Sequence, residues 1–192
     1  VLDGINKAID MAEKDYQGLV IANNGKNFSV GANIGMIFMM AVEQEYEELN
    51  MAIKYFQDTM MRMRYSSIPT VAAPHSMTLG GGCELSLRAA DTFEKDDVEL
   101  NRLREHFLTI GMAKVSTSAH EAFDLNLLQK GKDIVVVNQE RQLTIAKKHA
   151  LLMAENGYTK PIARKDIKVL GKQALGAFLV GTDQMNAGKY IS

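Results

Sequence analysis

In "VLDGINKAIDMAEK" the apolar residues Leu2, Ile5, Ile9 and Met11 to Ala12 return at helical spacing, which predicts an amphipathic helix at the start of the chain. The pattern then changes. "GLVIANN" is a short continuous apolar run rich in β-branched residues and closed by "NNGKN", the signature of a buried strand and its turn. A glycine-containing loop, "FSVGANIG", follows. From Met36 to about Tyr65 the apolar spacing is helical again, with acidic "EQEYEE" early and Arg62 and Arg64 late, which complements a helix dipole. "SSIPTVAAPHSM" gives a second proline-bounded run, Val71 to Ala73, that predicts another buried strand leading into "LGGGCE". The same order therefore occurs twice: strand, glycine loop, helix.

Beyond that point "CELSLRAA" predicts a helix that runs into polar "DTFEKDD". Helical patterns follow in "VELNRLREHFLTIGMA" and "SAHEAFDLNLL", interrupted by strand-like "DIVVVN". "QERQLTIAKKHALLMAENG" predicts a strong amphipathic helix with Gly157 as its C-cap, and the tail is basic and then apolar. No low-complexity linker marks a domain boundary, and one domain over 1–192 is expected from a length of 192 residues. Alternating strand and helix patterns put the fold class at α/β.

Composition narrows the function classes. Apolar residues make up 46% and charged residues 23%, with a formal net charge of -1, so nothing draws the chain to nucleic acid. "MIFMMAV" is too short to span a bilayer and no signal peptide is recognisable, so a soluble, cytoplasmic location is expected. Cys83 is the single cysteine, which excludes an internal disulfide and fits a reducing compartment. The chain begins at Val1 and enters a helix at once, which reads as a piece of something longer.

The candidate chemistry lies in the two glycine loops. Glycine in a regular element costs roughly 0.5–1 kcal/mol against alanine, so Gly80, Gly81 and Gly82 in a row imply close approach of a ligand or another backbone. Two such loops, each after a buried strand, can aim backbone N–H groups at one point, which is how an oxyanion hole is built. Glu84, at the start of the following helix, would stand beside that hole as a proton acceptor. Alternatives carry less: "LGGGCE" lacks the Lys-Ser/Thr of a P-loop and the spacing of a dinucleotide fingerprint. His75, His106, His120 and His149 have no metal-ligand spacing, so no metal is expected. The methionines at 36, 39, 40, 51, 60, 61 and 63 are expected in the core, with an adaptable acyl-chain wall as the rival reading. Cys83 reads as a small buried filler, and the cations of "TKPIARKDIKVLGK" as a solvated face.

"GLVIANNGKNFSVGANI" followed by "SSIPTVAAPHSMTLGGGCELSL" resembles the two signature segments of the enoyl-CoA hydratase and isomerase, or crotonase, superfamily, and "STSAHEAFDLNLLQKG" resembles its downstream segment. The resemblance covers most of 1–155. It implies a crotonase-like spiral of repeated ββα units, with a helical C-terminal extension over 156–192. The family's two oxyanion-hole amides then fall on Ala32 and Gly81 and its first catalytic glutamate on Glu84. The same resemblance places Ser29, Gly31, Asn33, Ile34, Leu79 and Gly80 against substrate. It further implies an acyl-CoA thioester as substrate, no covalently bound cofactor, and a homo-oligomer, trimer or hexamer.

The Met-rich helix and the tail are similar to the hydratase portion of bifunctional 3-hydroxyacyl-CoA dehydrogenase proteins of fatty-acid β-oxidation. NAD would be needed only if a dehydrogenase domain precedes Val1. Three departures stand out. The family usually has aspartate at Asn33. Its next strand, and the loop bearing a second glutamate, have no counterpart between Ala90 and Thr92, where "AADTFEKDD" reads as a junction between two patterns. The family's first strands likewise have no counterpart before Val1. Hydration of a trans-2-enoyl-CoA is the expected reaction, with a single-glutamate isomerase or a non-catalytic acyl-CoA-binding domain as alternatives.

Overall fold

A computed structural model of the chain describes residues 1–80, 99–112, 114–125, 127–163 and 170–190. Its elements, in chain order, are α1 (Leu2–Asp15), β1 (Leu19–Ile21), β2 (Ser29–Val30), α2 (Ile34–Val42), α3 (Tyr46–Arg64), β3 (Thr70–Ala72), β4 (Thr78–Leu79), α4 (Glu99–Gly111), α5 (Ala119–Asp124), α6 (Gln142–Glu155) and α7 (Gly171–Ala187). Two compact units divide the chain: Val1–Leu87 with Ile134–Ala163, and Arg88–Asp133 with Arg164–Ser192.

The first unit is organised by strand pairing across distance. β1 pairs parallel to β3, with Val20 opposite Val71, and β2 pairs parallel to β4, with Ser29 opposite Thr78. Each passage of the chain thus delivers one strand to each of two small sheets before a helical crossover returns it, which is a spiral of ββα turns. A parallel pair requires such a crossover, and α2 with α3 supplies it. The expectation of an α/β spiral is met.

Helices close over these sheets through small side chains. α6 packs on β1 and β3, and it buries Ala146 and Ala150, one helical turn apart. The approach is tight at Gly18, where an added Cβ would come within 3.3 Å of both the Ala150 Cβ and the Pro69 carbonyl oxygen. α1 lies against α3 and β1 and buries Ile9 and Ala12; Met11, which the periodicity assigns to the same face, is half exposed.

Polar contacts fix the α1–α3 pair. The buried Thr59 hydroxyl accepts from Asn6 Nδ2 at 2.9 Å and donates to the Tyr55 carbonyl, while Arg62 pairs with Asp10 and the Tyr55 hydroxyl donates to Asp3. That Asp3 contact pushes the Tyr55 hydroxyl pKa up. Glu13 accepts from the Ser67 N–H at 2.7 Å and from both the Ser66 and Ser67 hydroxyls, and so ties the end of α1 to the turn before β3.

The helix predicted from Met36 to Tyr65 is two helices. The break is at Gln44, whose φ of 60° is left-handed. The Gln44 N–H bonds back to Ala41 and the Glu45 N–H to Met40, the double closure of a Schellman cap with glutamine in the usual glycine position. The methionines also differ from expectation. Met63 is buried, but Met36, Met39, Met51 and Met61 are each at least half exposed.

"DIVVVN" forms no strand: no described segment pairs with it, and Ile134 and Val137 are exposed. Gly157 does cap α6 at φ 78°, as expected, with its N–H bonded to Ala154 and that of Tyr158 to Met153.

In the second unit Phe107 of α4 stacks on Phe178 of α7 at a centroid distance of 4.6 Å. α5 begins with reciprocal side-chain caps, one residue displaced from a capping box. The Ser118 hydroxyl accepts from the Glu121 N–H, and the Glu121 carboxylate reaches back to the Thr117 N–H and hydroxyl. Those two Thr117 bonds, the hydroxyl's first, pull the Glu121 pKa down.

Candidate active site

The loop after β2 is shaped by its own short side chains. Gly31 has a φ of 87°, a conformation that glycine adopts without cost. Its N–H donates to the Ser29 hydroxyl at 3.2 Å, and that hydroxyl donates to the Leu79 carbonyl at 3.1 Å on the neighbouring strand. Asn33 closes the loop. Its side-chain oxygen accepts from the Met36 N–H at 3.2 Å, so it serves as the N-cap of α2. An aspartate there would cap equally well; asparagine caps without a charge.

The loop after β4 meets the first one backbone to backbone. Gly80 has a φ of 56°, and a Cβ built on it would lie 3.0 Å from the Gly31 Cα. Only glycine fits. The same point lies 3.8 Å from the Ala32 nitrogen, so the second loop passes directly beside the Ala32 N–H. Among the described residues no group accepts a hydrogen bond from that N–H. The structure therefore brings together Ser29, Gly31, Ala32, Asn33, Leu79 and Gly80, which the sequence places fifty residues apart. Ile34 follows the loop as the first residue of α2, and its side chain is exposed. Gly81, Cys83 and Glu84 lie outside the described residues, as does the helix predicted over "CELSLRAA".

Beneath the loops, the turns before β2 and before β4 interlock. Asn23 accepts from the Gly25 N–H and donates to the Phe28 carbonyl, each at 2.9 Å. His75 Nε2 lies 2.8 Å from the Gly25 carbonyl, and its ring meets Phe28 edge-on. The Phe28 N–H bonds to the His75 carbonyl and the Ser29 N–H to that of Met77. His75 thus has a structural role, joining the two turns. The Ser29 and His75 contacts are not legible from spacing alone, because each joins two separate segments.

No family model matches the chain. Solved structures do. An enoyl-CoA hydratase from Polaromonas sp. JS666 superposes with a TM-score of 0.58 at 19% identity, over 80% of this chain and 66% of that one. An enoyl-CoA hydratase/isomerase from Xanthobacter autotrophicus Py2 gives 0.58 at 20% identity, over 97% and 72%. A Legionella pneumophila structure named as an enoyl CoA hydratase/isomerase (crotonase) gives 0.52 at 21%, over 100% and 81%. The fold is that of the crotonases.

Curated relatives of this crotonase-fold chain include proteins named for 3-hydroxyacyl-CoA dehydrogenase activity and for fatty acid oxidation. A Bacillus subtilis (strain 168) protein named as a 3-hydroxyacyl-CoA dehydrogenase is 37% identical across all of this chain, which spans 28% of the relative's length. A Rickettsia felis protein named as a fatty acid oxidation complex trifunctional enzyme is 34% identical over 43% of this chain and 12% of its own length. The Bacillus alignment runs over 223 positions against 192 residues here, a difference of 31. The relative therefore carries at least that many residues, inside the matched region, that have no counterpart in this chain.

Proposed function

We propose that this crotonase-fold chain forms the acyl-CoA site of an enoyl-CoA hydratase, as part of a fatty-acid oxidation protein that also carries 3-hydroxyacyl-CoA dehydrogenase activity. One observation carries the reading: two glycine loops touch at Gly31 and Gly80, with the Ala32 N–H beside the contact. In the proposed complex the thioester carbonyl accepts from the Ala32 and Gly81 amides, and Ser29, Gly31, Asn33, Ile34, Leu79 and Gly80 border it. Donors held in place before reaction stabilise the enolate more than the neutral thioester, and losing one costs about 10²–10³ in rate.

Glu84 takes a proton from water as the water oxygen bonds to C3 of the trans-2-enoyl group. The electron pair of the double bond moves onto the thioester oxygen as an enolate. Collapse of the enolate, with a proton delivered to C2 by a second acid, gives the 3-hydroxyacyl thioester. In the family that acid is on the segment without a counterpart between Ala90 and Thr92, and the surplus positions in the Bacillus relative are enough to contain such a segment. The chain as it stands has one candidate carboxylate, which favours a single-glutamate isomerase as the second reading. In that case Glu84 moves a proton between carbons and no water adds.

The assembly belongs to the same proposal. Leu175, Leu179 and Val180 form an exposed apolar stripe on α7, consistent with a homo-oligomer joined through the C-terminal region.

Glu84→Gln tests the reading. Glutamine keeps the size of the side chain but cannot accept the proton, so hydration followed by loss of enoyl absorbance should fall about 10²–10⁴-fold. Calorimetric affinity for a saturated acyl-CoA should hold, because a loss confined to kcat marks an interaction made in the transition state. Undiminished turnover would remove Glu84 from the mechanism. Binding of acyl-CoA without turnover by either protein would make the chain a binding domain.

A further inference from the structure

The geometry points to Ser29 as the positioning residue of the oxyanion hole, its hydroxyl replacing a backbone rung between the two glycine loops. The inference rests on the acyl-thioester reading of the site given above. In the parallel β2–β4 pair the Ser29 N–H bonds to the Met77 carbonyl at 3.0 Å. A ladder that continued regularly would next join the Gly31 N–H directly to the Leu79 carbonyl, because the rungs of a parallel pair recur every second residue. Val30 still registers with Leu79, but that direct bond falls short of hydrogen-bond geometry. Instead the Ser29 Oγ stands between the two groups, accepting from Gly31 at 3.2 Å and donating to Leu79 at 3.1 Å.

The substitution satisfies the N–H and the carbonyl while letting the first chain turn away through left-handed Gly31. Alternate residues donate to the neighbouring strand, so the Ala32 N–H falls between rungs, and the turn at Gly31 sets where it points. Asn33 fixes the other side of that peptide by capping α2. Ala32 is thus held between two side-chain hydrogen bonds, and only the Ser29 bond also joins the loop to the strand leading into the second loop. A hydroxyl that already donates to Leu79 has no second proton to offer a substrate. Its effect on substrate therefore passes through the placement of Ala32.

The test compares the whole chain with Ser29→Ala and Ser29→Thr, using the 4-aminocinnamoyl thioester of coenzyme A as probe. Absorption of this push–pull chromophore moves to the red when its carbonyl is polarised, so it reports the hole without turnover. Wild type should shift it. Ser29→Ala should lose most of the shift and up to about 10²-fold in kcat, as expected for a displacement near 1 Å. Affinity and KM should stay close to wild type, and Ser29→Thr, which restores the hydroxyl, should recover the shift.

An unchanged shift in Ser29→Ala overturns the inference and leaves the site reading standing. Loss of affinity in Ser29→Ala that Thr restores overturns it too, since the hydroxyl would then touch the ligand. No shift or binding in wild type brings down the site reading and the inference together. If Ser29→Ala does not fold, Ser29→Cys carries the comparison: it keeps the shape with a weak donor, and a full wild-type shift from it refutes the role.

Discussion

At the scale of single residues, stability depends on short polar side chains that hold loops. Glu13 shows the sign of one such contribution. The Ser67 N–H, with help from the Ser66 and Ser67 hydroxyls and the Arg62 charge, lowers its pKa, and partial burial opposes them. A carboxyl whose folded pKa lies below its unfolded one stabilises the fold above the ordinary glutamate range. That stability is lost as pH falls through the folded pKa. Glu13→Gln should therefore lower Tm at neutral pH, and the gap to wild type should close in acid. A melting difference that stayed constant across that range would show that the carboxylate's charge contributes nothing.

At the scale of elements, the break between α2 and α3 is set by its cap. Gln44 occupies the left-handed position with a Cβ that the conformation disfavours by about 1–2 kcal/mol. Gln44→Gly removes that strain but adds freedom to the unfolded chain, which offsets about 0.4–1 kcal/mol. The net expectation is a gain of about 0.8 kcal/mol at the midpoints of those ranges. Urea unfolding should show it as a higher midpoint at an unchanged slope. A lower midpoint would mean that the glutamine side chain makes a contribution beyond the cap.

At the scale of the whole molecule, apolar surface remains uncovered in a single chain. Leu175, Leu179 and Val180 on α7 are each more than half exposed, and each such side chain gains about 1.5–3 kcal/mol when fully buried. A solution mass of three or six times 21.2 kDa is expected from light scattering. A particle of one chain mass would refute the proposed assembly.

The sequence by itself determined what local physics controls. Periodicity marked α1 and α6, β-branched runs marked β1 and β3, Gly157 marked a cap, and the alternation of strand and helix patterns marked the α/β class. These depend on residues a few positions apart, whose hydrogen bonds and faces follow from backbone geometry. Only the tertiary structure decided the rest. Val20 meets Val71, the Ser29 hydroxyl meets the Leu79 carbonyl and His75 meets Gly25, each across about fifty residues. No window of sequence contains both partners. "DIVVVN" failed as a strand for the same reason: strand propensity is local, but the hydrogen bonds that make a strand belong to a neighbour.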